Sequence, residues 1–133
     1  MCNRLRCERA SGLVELALML PVLLLLVFGT IEIGRGFRTY IALNNAAREG
    51  ARWLAAYPTD ANGAIAIATA EAARVGLTPG QLTVTITPAQ AQYQAGDTVT
   101  VRVVCTYDLL AGAVIGMPSL PMNVQVTLRV LYG

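Results

Sequence analysis

Few side chains in this sequence could do covalent chemistry, and those few are not grouped. The chain has 133 residues and no His, and all ten of its basic residues are Arg. Cys105 alternates with valines, which predicts an inert core thiol and not a nucleophile. We therefore predict no enzymatic activity and no cofactor or metal. The carboxylates beyond residue 31 stand singly, without the close pair that acid–base catalysis uses: Glu32, Glu49, Asp60, Glu71, Asp97 and Asp108.

The carboxylate of Glu15 differs from these because it lies inside a membrane-length apolar run. Between Leu13 and Ile31 it is the only charged side chain. A helix spans a bilayer core of about 30 Å with roughly 20 apolar residues. An ionised carboxylate in such a segment costs about 2.5–3.5 kcal/mol, so it is expected to have a partner or a function. A subunit that packs its helix against identical helices could use Glu15, whereas a plain anchor could not.

The charges around the apolar run predict its orientation. Arg4, Arg6 and Arg9 precede it, and residues 11–133 hold equal numbers of basic and acidic side chains. This asymmetry predicts an N-terminus in the cytoplasm and a C-terminal part outside. A cleavable secretory signal is the competing interpretation, although the run is longer than the usual apolar core of such signals. A neutral exported part offers no basic patch, so we expect no nucleic-acid partner.

The hydrophobic pattern first predicts one long helix over about 13–57, with Pro21 inside it. Gly29, Gly34 and Gly36 lie where this helix leaves the membrane, and either a flexible joint or close helix packing would explain them. Beyond residue 35 the sequence is amphipathic, and Glu49 and Arg52 are spaced to form an ion pair. Asn44 lies on the predicted apolar stripe, where we expect it to bond to a loop or the sheet or, as the alternative, to contact another protein. The stripe is predicted from Phe37, Tyr40, Ile41, Ala47, Ala51 and Leu54.

The rest of the chain predicts a second helix and three strands. Pro58 ends the first helix, one of Thr59, Asp60 or Asn62 caps the next, and Gly76 ends that one. Period-2 alternation then predicts strands near 82–87, 98–107 and 123–132, with one face covered by helices. In the third strand the residues predicted to face inward include Leu128 and Tyr132. The predicted fold class is therefore α+β, with a long N-terminal helix, a second helix and a three-stranded antiparallel meander. The apolar segment 109–121 could fold into the core or form an exposed patch, and both interpretations stay open.

Four short blocks of the N-terminal half occur in an order known from one protein family. They are Arg9–Glu15, Leu20–Val22, Gly29–Arg35 and Ala42–Arg52. In these blocks the chain resembles TadE-like pilus-assembly proteins, a pseudopilin group of the tight-adherence type IV-like pili. The resemblance covers about residues 9–57.

The resemblance implies processing by a prepilin-type peptidase on the cytoplasmic face, between Ala10 and Ser11. Glu15 would then be an assembly residue, neutralised by the freed amine of Ser11 or by polar groups of a neighbouring helix. Pro21, Gly29 and Gly34 are candidate subunit contacts. The implied partners are the membrane, the peptidase, other pilus or pseudopilin subunits and the inner-membrane assembly platform.

The predicted organisation has three parts. Residues 1–10 form a cytoplasmic leader, residues 11–57 the long helix, and residues 58–133 a small extracytoplasmic α+β domain. The membrane part of the helix covers about 13–33 and its amphipathic extension 34–57. The resemblance points to a minor, pilin-like subunit in the inner membrane of a bacterium. The alternatives are a filament-forming major subunit of an extracellular filament, or a singly anchored envelope domain that binds another exported protein.

Overall fold

The computed structural model describes the backbone of residues 4–110, 112 and 116–131, and the side chains from residue 11 onward within these ranges. The chain divides into two compact units, Met1–Gly34 and Arg35–Gly133. Helix α1 (Arg4–Ala56) contributes to both units, and it continues through Pro21. It ends one residue before the predicted limit, where Pro58 follows and removes a backbone donor.

Helix α2 (Ala61–Ala73) begins after one of the predicted caps and ends at Ala73, two residues before the predicted limit near Val75. Asp60 is the N-cap, and its Oδ1 accepts a hydrogen bond from the backbone N–H of Gly63 at 2.8 Å. Past the other end, Gly76 adopts a left-handed φ of 89°, a conformation that side chains with a Cβ rarely adopt. A short 3₁₀ turn (Pro79–Gln81) then leads into the sheet.

The sheet is an antiparallel meander in the order β1-β2-β3, as the alternation predicts. Strand β1 (Leu82–Thr87) pairs with β2 (Thr98–Asp108), and β2 pairs with β3 (Ser119–Arg129). One face of the sheet is apolar and packs against the helices, and the other carries mostly Thr and Arg side chains in water. The predicted fold class is therefore confirmed.

The core of unit 2 is built from small helix residues and strand valines. Leu43, Ala47 and Ala51 of α1 pack against Val101, Val103, Cys105 and Val124 of the sheet. Ala46 of α1 packs with Ala68 and Ala72 of α2. Leu54, Ala64, Tyr93, Val99 and Val130 close the core at the end of α1. The small side chains let the two helices and the sheet approach closely.

The predicted apolar stripe of α1 is wrong in its first half. Phe37, Tyr40 and Ile41 are exposed, by 65%, 48% and 46%, whereas Ala47, Ala51 and Leu54 are buried as predicted. The buried stripe begins instead at Thr39 and continues through Ala42, Leu43, Ala46, Ala47, Gly50, Ala51 and Leu54. The reason is that the residues packed against α2 and the sheet are small ones, whereas the prediction was based on the spacing of the most hydrophobic residues.

Three smaller predictions also differ from the structure. Asn44 was expected to bond to a loop or the sheet, but its Nδ2 donates to the carbonyl of Tyr40 within α1, at 3.0 Å. Strand β3 begins at Ser119 and not near 123, because the pairing with β2 extends to Asp108. Leu128, predicted to face inward, is 36% exposed. The predicted inward position of Tyr132 lies outside the described residues.

Candidate functional site

The candidate assembly site lies on the part of α1 that belongs to unit 1. The large apolar side chains from Leu13 to Ile33 are 47–76% exposed. The segment is long and apolar enough to cross a membrane, by length and composition, with a mean hydropathy of 2.5. Glu15 is exposed on this helix, and among the described residues its carboxylate has no hydrogen-bond or ion-pair partner. The Glu15 carboxylate is therefore accessible on the helix surface.

The other candidate residues of this segment also lie on exposed helix. A Cβ at Gly29 or Gly34 would meet no atom within 4 Å, so a neighbouring helix has room to approach the backbone there. Pro21 is likewise exposed. The proposed cleavage bond follows Ala10, whose side chain lies outside the described part of the chain, and Ser11 is exposed. The roles of all these residues remain predictions.

The carboxylates of unit 2 hold local structure together. Glu71 pairs with Arg74 at 3.1 Å and Glu49 with Arg52 at 3.6 Å, the second pair as predicted. The Asp97 carboxylate accepts from the backbone N–H of Gln94 at 2.9 Å, which stabilises the predicted turn. Among the residues that the structure describes, no three His, Cys, Asp or Glu side chains come together as a metal site would require.

The thiol of Cys105 is fully buried in the core between α1 and the sheet, as its alternation with valines predicts. Burial raises its pKa above the ordinary value, and the negative charge of Asp108 raises it further. The reactive form of a cysteine is the thiolate, so both effects make the thiol less reactive.

The end of unit 2 at which α1 enters carries two cationic side chains. The guanidinium of Arg35 lies over the ring of Tyr107, with its Cζ 5.6 Å from the ring centroid. Arg35 and Arg38 line one shallow cleft of about 230 Å³ together with Thr39, Tyr107 and Asp108. The Asp108 carboxylate accepts a hydrogen bond from Gln81 Nε2 at 2.9 Å. The sequence analysis did not identify this cleft, because its residues come from four separate segments.

Sequence reasoning also missed two anchoring side chains. Trp53 donates its indole N–H to Asp60 Oδ2 at 3.1 Å and so connects the end of α1 to the start of α2. Tyr93 is only 1% exposed, and its hydroxyl donates to the carbonyl of Pro88 at 2.6 Å. The sequence did contain a signal for Tyr93, because it is the one aromatic residue of the segment 88–97.

The structure thus defines a class of protein in which one long apolar helix at the N-terminus leads into a small α+β domain. The helix indicates single-pass membrane anchoring. In a comparison with protein families, residues 10–52 match the family described as TadE-like protein. The predicted resemblance is confirmed over these residues, which lie within α1. Comparison with curated proteins and with solved structures gave no match.

The family match supports involvement in tight-adherence pilus systems and association with the membrane and with other pilus subunits. The TadE-like family is a structural, pilus-associated group. The matched segment contains Glu15, Pro21, Gly29 and Gly34, and it ends at Arg52, close to the end of α1.

Proposed function

We propose that this protein is a pseudopilin or minor pilin-like subunit of a tight-adherence pilus, and that it assembles through its N-terminal helix. Residues 1–10 would be a leader removed by a prepilin-type peptidase, and residues 13–33 would cross the inner membrane of a bacterium. Residues 58–133, together with the amphipathic part of α1, would form the domain outside. Its partners would be the peptidase, the assembly platform and other subunits.

The observation that carries the proposal is an exposed carboxylate on an exposed apolar helix, within the segment that matches the family. In the membrane, lipid can cover the apolar side chains, but it offers Glu15 no cation or hydrogen-bond donor. In a bundle of such helices, a neighbouring subunit can supply one. The open backbone at Gly29 and Gly34 would let the helices approach closely.

Processing would give Glu15 its partner. Cleavage after Ala10 creates a free amine on Ser11, and this amine carries a positive charge at neutral pH. The amine of one subunit would then neutralise Glu15 as the helix leaves the lipid for the bundle. The leader with Arg4, Arg6 and Arg9 holds the N-terminus in the cytoplasm, where such a peptidase acts.

Mass spectrometry of the protein co-expressed with its prepilin peptidase tests the processing step. We expect the mass of residues 11–133. We also expect faster cleavage of the Ala10→Gly variant, because TadE-like proteins usually carry Gly before the bond that is cut. An intact chain, under conditions where a known prepilin is cut, would contradict processing. A reporter fused after Gly133 should be active only outside the cytoplasm, and activity inside would contradict the orientation.

Substitution of Glu15 tests the assembly step. Glu15→Leu should insert into the membrane at least as well as the parent chain, because it removes about 2.5–3.5 kcal/mol of cost from the apolar segment. It should nevertheless lower incorporation into pili and cross-linking to other subunits, because the partner amine is left unpaired. Val14→Leu is the matched control, since it changes the adjacent exposed residue without touching a charge.

Pili and cross-links are then counted at equal protein levels. A defect in Glu15→Leu but not in Val14→Leu supports the assembly role. Normal assembly of both variants would limit Glu15 to recognition by the peptidase and favour an anchored envelope domain that binds another exported protein. A major subunit would differ from a minor one in its abundance in purified filaments.

A further inference from the structure

The loop between β2 and β3 lies at the end of unit 2 where α1 enters. A Cβ at Gly36 would lie 3.6 Å from Met122 Cε, and Arg35 lies over Tyr107. Near the other end of the domain, Leu54 shares a cluster with Val99. Strand β2 therefore runs opposite to α1, and its last residues reach the level of Arg35. The chain then continues into the β2–β3 loop.

This end of unit 2 exposes large apolar side chains from two separate segments. Leu110, Met117 and Leu120 are exposed by 67%, 53% and 41%, and Phe37 of α1 by 65%. We call these four residues the apolar end. Part of the segment 109–121, which the sequence left open between core and exposed patch, is therefore exposed. Ala111 and residues 113–115 lie outside the described residues.

Cationic side chains accompany the apolar end. The guanidinium groups of Arg35 and Arg38 line the shallow cleft at the same end, and stacking on Tyr107 orients the first of them. The carboxylate of Asp108 also lines this cleft, and it accepts a hydrogen bond from Gln81. Apolar side chains beside arginines are typical of surfaces that enter the boundary between lipid headgroups and acyl chains.

Helix length gives the depth of this end in a membrane. If residues 13–33 fill the hydrocarbon core of about 30 Å, the headgroup layer extends about 5–7 Å further on each side. At about 1.5 Å per residue this layer corresponds to the next three to five residues of the helix. Arg35, Phe37 and Arg38 fall within or at the edge of that range. Met122 and Tyr107 lie beside this stretch, so the end of β2 and the first half of β3 share this end of unit 2.

We propose that the apolar end of unit 2 rests in the headgroup layer of the membrane that the helix crosses. Phe37, Leu110, Met117 and Leu120 enter the boundary with the acyl chains, and Arg35 and Arg38 bind lipid phosphate. This inference rests on the membrane anchoring in the proposed function, and it adds a second attachment to the lipid surface. The domain is then held close to the membrane until the subunit is taken into an assembly.

Depth-dependent quenching of a fluorescent label on the full-length chain tests the inference. The chain carries Cys2→Ser and Cys7→Ser, with Cys105 buried, and is placed singly in lipid nanodiscs that contain nitroxide-labelled lipid. A polarity-sensitive dye is attached in separate samples to Leu110→Cys, Met117→Cys, Ala95→Cys or Leu18→Cys. Ala95 is the matched control, since it is exposed in the β1–β2 connection at the opposite end of the domain.

We expect blue-shifted emission and loss of most of the intensity at positions 110 and 117, and neither effect at position 95. If both loop labels behave like the label at 95 while the label at 18 is quenched, the inference is wrong and the anchoring stands. An unquenched label at 18 would overturn the anchoring and the inference with it. Separate discs that hold several chains test for a second copy. If the loop labels become blue-shifted only in those discs, without quenching by the lipid, the apolar end contacts another copy of the chain and the inference is wrong.

The phosphate contact is tested in the same discs with Arg38→Gln added to the Leu110→Cys chain. We expect weaker quenching at position 110, because the guanidinium no longer binds a headgroup phosphate. The assignment of Arg38 to phosphate would be overturned if Arg38→Gln left the quenching at position 110 unchanged both in discs of zwitterionic lipid and in discs of anionic lipid.

Discussion

Gly50 is the position in α1 where an added side chain should do most harm. It is buried where α1 meets α2 and the sheet. A Cβ placed there would lie 3.1 Å from the carbonyl oxygen of Ala64, 3.1 Å from the Cβ of Ala68 and 3.5 Å from Val101 Cγ1. The first of these contacts is with backbone, which cannot move aside by rotating a side chain. The absence of a side chain at Gly50 therefore sets how closely the two helices approach.

Gly50→Val should lower the free energy of unfolding by about 1–3 kcal/mol, the usual cost of overpacking a well-packed core. Its better helix propensity returns only a few tenths of a kcal/mol. Gly36→Ala is the matched control in the same helix, because its Cβ would meet only Met122 Cε, at an ordinary 3.6 Å. That variant should gain up to about 1 kcal/mol from helix propensity.

Denaturant unfolding of the full-length chain in detergent measures both variants. Trp53 is the only tryptophan, and its indole bonds Asp60 within one helical turn of Gly50, so its fluorescence reports this part of unit 2. The midpoint should fall for Gly50→Val and rise slightly for Gly36→Ala. Equal midpoints for the two variants would refute the close packing of α1 on α2.

Two further predictions concern single side chains of unit 2. Asp60→Ala should lower the free energy of unfolding by about 0.5–2 kcal/mol and shift the Trp53 emission, because it removes the cap to Gly63 and the hydrogen bond from the indole. Asp60→Asn keeps a capping oxygen and should lose less stability. Equal losses in the two variants would contradict the capping role. The raised pKa of Cys105 predicts stability that is complete below the ordinary thiol pKa and is lost as pH rises toward the folded-state pKa, since the unfolded thiol releases its proton first. Unfolding midpoints measured across alkaline pH should show this loss, and Cys105→Ala should reduce it; equal pH dependence in both chains would contradict the assignment.

The sheet and the second helix could be predicted from sequence because their signals are local. Alternation of valine and threonine determines the covered face of β1 and β2 without knowledge of any partner. Asp60 and Gly76 likewise predict the limits of α2 from capping chemistry alone. The start of β3 could not be placed this way, because pairing with β2 up to Asp108 extends it into a segment without alternation.

The covered face of α1 and the surroundings of Glu15 could not be predicted for two different physical reasons. On α1 several faces carry apolar residues, so hydrophobicity alone does not select one, and the fit of Gly50 and Ala46 against α2 decides. For Glu15 the sequence identifies the position, since a lone carboxylate in an apolar run is itself the signal. In the proposed assembly its partner comes from another molecule, so the contacts within this chain do not contain it.

Residue size along α1 explains why its aromatic side chains Phe37 and Tyr40 remain outside the layer between α1, α2 and the sheet. The layer between α1, α2 and the sheet is filled by Ala46, Ala47, Gly50 and Ala51, and an aromatic ring in this layer would separate the helices. Phe37 precedes that layer, at the end where the β2–β3 loop also leaves Leu110 and Met117 exposed. Exposed apolar area of this kind is costly in water but stable against lipid or another subunit. Small residues therefore fill the layer between the helices and the sheet, and Phe37 stays exposed in the turns of α1 that precede this layer.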